Sequence, residues 1–211
     1  MIAQDRGAAP RAEQARTRLA RRAVIDAART LFLERGYAAT TMAAISRAAE
    51  VPEPTLYRLF ASKVGVLKAV LDTSIAGDDA PEPVAARPAV ADLAAEPDAA
   101  QVVAGLVAVA TAINRRTNEV YEVLTRAADA DAEAAELLAA IQAQRDAGQR
   151  GVVRMLHRRG MLRKGLGERE AADVVHALMA PEVYRLLVRD RGWPPERYEA
   201  WAARTLTHQL L

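Results

Sequence analysis

The sequence predicts an all-α fold, with a small three-helix domain at the N-terminus and a larger helical domain after it. Apolar residues recur at helical spacing along most of the 211 residues. No stretch alternates apolar and polar residues for long enough to indicate a strand. Within 40–63, two short helical patterns follow each other after only a few residues. Such a short connection favours a helix-turn-helix, whose second helix enters the DNA major groove.

Composition narrows the class of protein. The chain has no cysteine, which excludes a disulfide framework and thiolate metal sites. Its N-terminus lacks the apolar segment of a secretory signal, and no apolar run reaches the length of about 18 residues that spans a bilayer. We therefore expect a cytoplasmic protein. Residues 1–65 carry eleven Arg and Lys against six Asp and Glu, and the remainder eighteen against twenty-one. This asymmetry favours an N-terminal part that faces nucleic acid, although Arg-rich helices are also common in Ala- and Arg-rich proteins.

The N-terminal elements follow from apolar spacing and from capping residues. Residues 1–16 are expected to form a disordered basic arm, either lying along DNA or solvated. The first helix is predicted from Thr17 to Arg35, with Gly36 at its C-terminal cap. Thr40 or Thr41 caps the second helix. Apolar positions on the next two helices are Met42, Ile45 and Ala49, then Leu56, Leu59 and Phe60. Ser62 is expected to cap a fourth helix that ends at Gly77.

Beyond Gly77, prolines at 81, 83, 88 and 97 predict a loop over 77–97 with at most a short turn at 89–95. Helices are predicted at 98–115, 118–128, 132–159, 168–190 and 195–211. Pro181 should kink or break the fourth of these. The helix-turn-helix domain is placed at 17–62, and an effector-binding and dimerisation domain at 63–211.

The outward face of the third helix carries the candidate DNA contacts. Arg58 could bind a guanine edge or a phosphate, and Thr55 and Tyr57 could donate to phosphate oxygens. Tyr57 could instead only cap the small core. Lys63 begins the next helix, where free N–H groups also favour phosphate. The full set of candidates is Thr40, Thr41, Glu53, Pro54, Thr55, Tyr57, Arg58 and Lys63.

The segments RRAVIDAARTLFLERGYAATTMAAISRAAEV and TLYRLFASK resemble the N-terminal domain of the TetR/AcrR transcriptional regulators over about 18–70. The resemblance implies that positions Thr41, Thr55, Tyr57 and Lys63 contact the DNA backbone. Because a single helix-turn-helix reads too few base pairs to be specific, we also expect a two-fold dimer that binds a palindromic operator. The chain departs from the family pattern at four positions, where the turn Gly, the capping Ser, a frequent Gly and a frequent His or Tyr are replaced: Glu50, Pro52, Pro54 and Leu59.

Two apolar stripes on the last helices predict the dimer interface, with burial in the subunit's own core as the alternative: Val175, Leu178, Met179, Val183, Leu186, Trp201, Thr205 and Leu206. The helices from 98 to 190 are expected to enclose a ligand pocket, and each of its candidate residues could equally be ordinary core or surface: Tyr121, Leu124, Ile141, Arg145, Met155 and His176.

The three histidines show no metal spacing, and no phosphate-binding loop or nucleophile elbow is present, so neither an enzyme nor a metal or cofactor site is expected. The sequence therefore predicts a dimeric regulator, most simply a repressor that a small molecule releases from DNA. The alternative is a constitutive DNA-binding regulator or architectural protein without a ligand. Thermal-shift screening separates the two.

Overall fold

In the computed structural model, residues 8–77 and 88–211 are described, and this part of the chain contains helices and no strand. The all-α prediction is therefore confirmed. The helices are α1 (Ala8–Ala39), α2 (Met42–Ala49), α3 (Glu53–Phe60), α4 (Lys63–Ala76), α5 (Pro88–Ala95), α6 (Ala99–Ala128), α7 (Ala132–Arg158), α8 (Glu168–Leu178), α9 (Pro181–Tyr184) and α10 (Pro195–Leu210), with a π-helical turn at Arg185–Asp190. Across the described ranges, no helix is long and apolar enough to cross a membrane.

The chain forms two compact units. The first contains the residues up to Asp72 together with Glu122–Leu137, and the second contains Thr73–Tyr121 and Leu138–Leu211. Three helices, α4, α6 and α7, contribute residues to both units. The domain boundary expected at residue 63 stays a prediction.

Each unit has its own apolar core. In the first unit, the fully buried side chains of α1, α2 and α3 include Phe32, Ile45 and Leu56, each 0% exposed. The Arg21 guanidinium lies 4.8 Å from the centre of the Phe60 ring and covers this core from outside. In the second unit, the core draws on α6, α7, α8 and α10 and includes Val103, Leu156 and Tyr198.

Three element boundaries differ from the sequence prediction. Helix α1 begins at Ala8 rather than Thr17, because the Ala- and Arg-rich segment has high helix propensity and Pro10 is tolerated in a first turn. The arm expected to be disordered is therefore helical from Ala8 on, and residues 1–7 lie outside the described part. The short turn expected at 89–95 is the two-turn helix α5.

The break expected between 115 and 118 is absent, since α6 is continuous through these residues. The Thr117 hydroxyl donates to the Ile113 carbonyl one turn earlier at 2.9 Å and so remains compatible with the helix. By contrast, Pro181 does break the predicted 168–190 helix, because α8 ends at Leu178 and α9 begins at Pro181 itself. Gly36 lies within the span of α1 but is not helical, with φ 77° and ψ 170°, so the helix is interrupted there. Gly77 directly follows α4 and has a positive φ of 76°.

Candidate nucleic-acid interface

The turn between α2 and α3 depends on a left-handed residue that is not glycine. Glu50 has φ 54° and ψ 33°. The following N–H, of Val51, donates to the Ser46 carbonyl at 3.1 Å, which closes the end of α2 as a Schellman motif. The Ser46 hydroxyl also donates to the Val51 carbonyl at 2.6 Å. The turn is thus held by hydrogen bonds even though a side chain stands at a position that favours glycine.

Replacing Glu50 by glycine is expected to stabilise the protein by about 1 kcal/mol, because the left-handed conformation strains every residue with a Cβ atom. The free energy of unfolding, measured by urea denaturation, checks this. Ala48→Gly is the matched control on the exposed side of α2, and it should destabilise by about 1 kcal/mol, since Ala48 is helical. Destabilisation by Glu50→Gly as well would mean that the Glu50 side chain, and not the turn geometry, stabilises this region.

Helix α3 presents a polar face away from the core. Leu56 and Phe60 are buried, whereas Pro54, Tyr57 and Arg58 are exposed. Tyr57 is 48% exposed, so the alternative that it only caps the core does not describe its position. Glu53 is also exposed, and Thr55 is half-buried beside this face. Pro52 provides no side-chain cap, as expected from its lack of a hydroxyl. The predicted outward face therefore exists as a surface.

The two threonines before α2 have different roles. Thr41 is exposed and caps α2, since its hydroxyl accepts the Ala44 N–H at 3.1 Å. Thr40 is 0% exposed, and its hydroxyl lies 2.8 Å from the Gly36 carbonyl oxygen and 3.2 Å from that of Leu31. The prediction that Thr40 contacts DNA is wrong, because its side chain holds the end of α1 and cannot reach the surface.

Lys63 starts α4 and is anchored within its own unit. Its Nζ donates to the Tyr37 carbonyl at 2.9 Å and lies 4.0 Å from the centre of the Tyr37 ring. Burial lowers the pKa of Lys63, and the Coulombic attraction of Asp131 opposes this shift. An ammonium group has three protons, so one bond to a carbonyl leaves donors for a phosphate. Ser62 caps the same helix through the Gly65 N–H at 3.1 Å, as predicted.

Tyr37 and Asp131 join the C-terminal end of α1 to the turn before α7. The Tyr37 hydroxyl donates to Asp131 Oδ2 at 2.8 Å, and Asp131 Oδ1 accepts the Ala134 N–H at 3.1 Å. The bond from Tyr37, followed by that from Ala134, lowers the pKa of Asp131. Burial, followed by the hydrogen bond to this carboxylate, raises the pKa of Tyr37. Because the partners are 94 positions apart in the chain, no local sequence pattern indicates this contact.

Tyr37→Phe is expected to lower the melting temperature (Tm) at neutral pH, and the difference from wild type should shrink in acid. Asp131 has a depressed pKa in the folded state, so its contribution is present above its unfolded pKa of about 3.9 and is lost as pH falls through the folded value. Thermal unfolding between pH 7 and pH 2 measures this. Tyr57→Phe, which removes an exposed hydroxyl, should leave the Tm unchanged throughout. A Tyr37→Phe difference that stays constant across this pH range would contradict the account.

The predicted ligand residues differ in burial and in their partners, and they belong to both units. Tyr121 is 7% exposed, and its hydroxyl lies 3.4 Å from both Gln142 Nε2 and Glu182 Oε1. Arg145 donates to the His176 carbonyl at 3.3 Å and lies 3.0 Å from His176 Nε2. Ile141 and Met155 are half-buried in the second unit. Leu124 is fully buried in the first unit and so serves that core.

The predicted dimer residues divide by burial. Val175, Met179 and Leu206 are at most 2% exposed and belong to the subunit's own core, so their assignment to the interface is wrong. The helical stripes are wide enough for one edge to face inward and the other outward. Leu186 is 51% exposed. The remaining candidates are half-buried: Leu178, Val183, Trp201 and Thr205.

A row of buried polar residues on α6 was not predicted from the sequence. Thr111, Asn114 and Asn118 are 4–6% exposed, and on α7 Gln149 is 6% exposed. Their spacing of i, i+3 and i+7 within an apolar helix was a signal that could have identified them. No group of three His, Cys, Asp or Glu residues in the described segments could hold a metal ion.

The sequence of the first unit matches a known protein family. Residues 24–70 match the family model described as bacterial regulatory proteins, tetR family. The match identifies residues 24–70 as a tetR-family DNA-binding domain. The match covers α2 and α3 together with parts of α1 and α4, so the first unit carries the DNA-binding domain of a transcriptional regulator.

Solved structures share the fold at low sequence identity. The fatty acid degradation regulator FadR from Bacillus halodurans is 16% identical, with a TM-score of 0.70 over 89% of this chain and 94% of that one. NalD from Pseudomonas aeruginosa is 20% identical, with a TM-score of 0.70 over 92% and 98%. A transcriptional regulator from Saccharomonospora viridis in complex with choline is 19% identical, with a TM-score of 0.67 over 90% and 97%. Comparison with curated protein sequences gave no match.

Proposed function

We propose that this protein is a dimeric repressor of the tetR family, and not an enzyme, that a small molecule releases from a palindromic DNA site in the cytoplasm. The main support for this proposal is helix α3, which exposes a polar face while its apolar face is buried in the core. In this proposal Arg58 binds a base edge or a phosphate. Thr41, Thr55, Tyr57 and Lys63 bind the backbone, while Glu53 and Pro54 border the groove.

Response to a ligand is supported by the second unit and by the relatives. The unit has its own core and a buried polar row, which a purely structural bundle does not need. Among proteins of the same fold, SmeT has been solved with triclosan and the Saccharomonospora viridis regulator with choline. NalD is described as the secondary repressor of a multidrug efflux pump. These ligands and targets are properties of the relatives, and they support only the class of mechanism proposed for this chain.

Helix α6 offers a physical route for the response. Arg116 donates from Nε to the Ser74 carbonyl at 3.0 Å and from Nη2 to the Ile75 carbonyl at 2.9 Å, so α6 holds the C-terminal end of α4. Asn114 and Asn118 on the same helix belong to the buried polar row. In the proposed mechanism, a ligand that shifts α6 tilts α4 and changes the spacing of the two α3 helices in the dimer. Effector and DNA must then weaken each other's binding reciprocally.

DNA release tests the function. The wild-type protein is bound to a labelled duplex obtained by selection, and a library of small molecules is screened for loss of fluorescence anisotropy. Release by at least one compound, with a matching loss of that compound's affinity in the presence of DNA, is the expected result. Binding to DNA that no compound alters would instead favour the constitutive regulator or architectural protein.

Leu186→Glu is expected to weaken the dimer about tenfold or more, because it places a charge in the proposed apolar interface. Leu186 is 51% exposed in the single subunit, so the substitution should leave the fold intact. Sedimentation velocity at graded concentrations measures the dissociation constant. Leu19→Glu makes the same change at a leucine that is 72% exposed on α1, and it should leave the dimer unchanged. Equal effects of the two substitutions would place the interface elsewhere.

A further inference from the structure

The buried polar row of the second unit consists of Thr111, Asn114 and Asn118 on α6 and Gln149 on α7. Its side chains have hydrogen-bond partners near one end and lack them at the other among the described residues. At the satisfied end, Asn118 Nδ2 donates to the Pro181 carbonyl at 2.9 Å, and the Tyr121 hydroxyl has Gln142 and Glu182 as partners. At the other end, Asn114 Nδ2 and Gln149 Oε1 have no hydrogen-bond partner in the described part of the protein. The Thr111 hydroxyl is likewise unpartnered within those residues. Asn114 and Gln149 are 5% and 6% exposed, so the bulk solvent does not satisfy them.

The helix register brings these two amides to the same level. The Tyr121–Gln142 contact links α6 to α7. Asn114 lies seven residues before Tyr121 and Gln149 seven residues after Gln142, which is two helical turns in each case. Since a short turn joins α6 to α7 and the helices meet again at Tyr121 and Gln142, we infer that they run in opposite directions, so these two steps go the same way. Asn114 and Gln149 therefore lie at one level on the helix faces that bear Tyr121 and Gln142.

A donor and an acceptor that share a level without bonding each other define a position for a third group. Burying an unsatisfied polar group destabilises a protein, and natural proteins rarely retain such groups. Rotating both amides exchanges oxygen and nitrogen in each and so reverses the two roles, but it keeps one donor and one acceptor. The third group must accept from one amide and donate to the other.

The residues near Asn114 and Gln149 indicate the charge and polarity of the rest of the ligand. In the described segments, the unpartnered buried atoms are all on neutral side chains or on His176, and Arg145, the charged neighbour on α7, is engaged by the His176 carbonyl and ring. A buried charge is costly unless it is paired, and the unpartnered atoms of Thr111, Asn114 and Gln149 carry no charge to pair with it. The core of this unit beside the unsatisfied end is aliphatic, with Val107, Val153 and Leu156 at most 1% exposed.

We infer that the second unit binds a neutral aliphatic molecule whose carboxamide-like group accepts from and donates to Asn114 and Gln149, with Thr111 as a further partner. This assignment rests on the proposed function, because it names the effector class of the repressor. It predicts that carboxylates and quaternary ammonium ions bind more weakly than neutral amides.

Thermal unfolding of the full chain with three matched series of linear compounds tests the inference. The series are the primary amides from butanamide to decanamide, the corresponding carboxylates, and the corresponding alkyltrimethylammonium ions. At least one amide is expected to raise the Tm by about 5–10 °C at about 100 times its Kd. The shift should disappear in Asn114→Leu and Gln149→Met and persist in Gln144→Met, a matched change at an exposed glutamine of α7.

The variants without any compound supply a second measurement. Since apolar groups of similar shape replace unsatisfied amides, Asn114→Leu and Gln149→Met should keep or raise the Tm. A fall in the Tm of both variants would show that their amides are satisfied within the protein, and would overturn the inference. So would a larger shift from either charged series, no shift from any amide, or a shift that survives in both variants.

Failure here and failure of the proposed function are distinguishable. If a charged compound releases the wild-type protein from DNA, the repressor function stands and only the ligand class is wrong. If the protein binds no selected DNA but an amide shifts its Tm through Asn114 and Gln149, the ligand assignment stands and the repressor function is wrong.

Discussion

Arg58→Ala is expected to weaken DNA binding about tenfold to a hundredfold. Arg58 is exposed on the outward face of α3, and an Arg side chain bound to a base edge contributes about 1–3 kcal/mol. Because the substitution removes this side chain from both half-sites of a two-fold dimer, the effect lies towards the upper end of this range. Fluorescence anisotropy with a selected duplex measures the affinity. The wild type and the variant are compared at several salt concentrations.

The salt dependence identifies the group that Arg58 binds. If Arg58 binds a phosphate, the slope of log K against log salt decreases by about one for each phosphate that is no longer neutralised, whereas binding to a base leaves the slope nearly unchanged. Arg204→Ala is the charge-matched control, because Arg204 is exposed on α10 in the second unit. Its affinity should stay within about twofold of wild type. Equal losses in both variants would show that the protein's overall charge, and not the α3 face, governs binding.

Leu56→Ala is expected to destabilise the first unit by about 2–5 kcal/mol and to abolish DNA binding. Leu56 is 0% exposed and forms the inward side of the same short helix, so the substitution removes apolar burial and leaves a cavity. Helix α3 has eight residues and is too short to be stable without this packing. Urea denaturation followed by circular dichroism measures the loss of stability.

Leu59→Ala provides the comparison, since Leu59 is half-buried on the same helix and should cost distinctly less. Comparing the two variants shows whether the exposed polar face of α3 depends on the buried apolar side of the same helix. A loss below about 1 kcal/mol for Leu56→Ala, or DNA binding at wild-type affinity, would mean that α3 does not need this packing to present its polar face.

Local signals in the sequence were sufficient for the helix-turn-helix. Apolar spacing placed Ile45 and Leu56 in the core, and the capping roles of Thr41 and Ser62 follow from hydroxyl groups at helix starts. Glu50 was expected to occupy the glycine position of the turn, and its φ of 54° confirms this. These features depend on neighbours within a few residues, which is the range over which sequence patterns are informative.

Features that depend on distant neighbours could not be predicted. Thr40 was expected to cap α2 at the surface, but its hydroxyl hydrogen-bonds to carbonyl groups of α1 and is buried. Val175 and Leu206 lie on stripes that suit a dimer equally well, and only the packing of α8 and α10 shows that they belong to the subunit's own core. The Tyr37–Asp131 bond joins segments that no local pattern connects.

The central claim, that α3 reads DNA in a two-fold dimer, is tested most directly by selecting bound duplexes from a random pool with the purified full chain. The account predicts enrichment of a two-fold symmetric sequence, with half-sites one helical turn or a multiple apart, and binding that falls steeply with salt. Enrichment of a single asymmetric sequence that binds one subunit, or no enrichment at all, would contradict it.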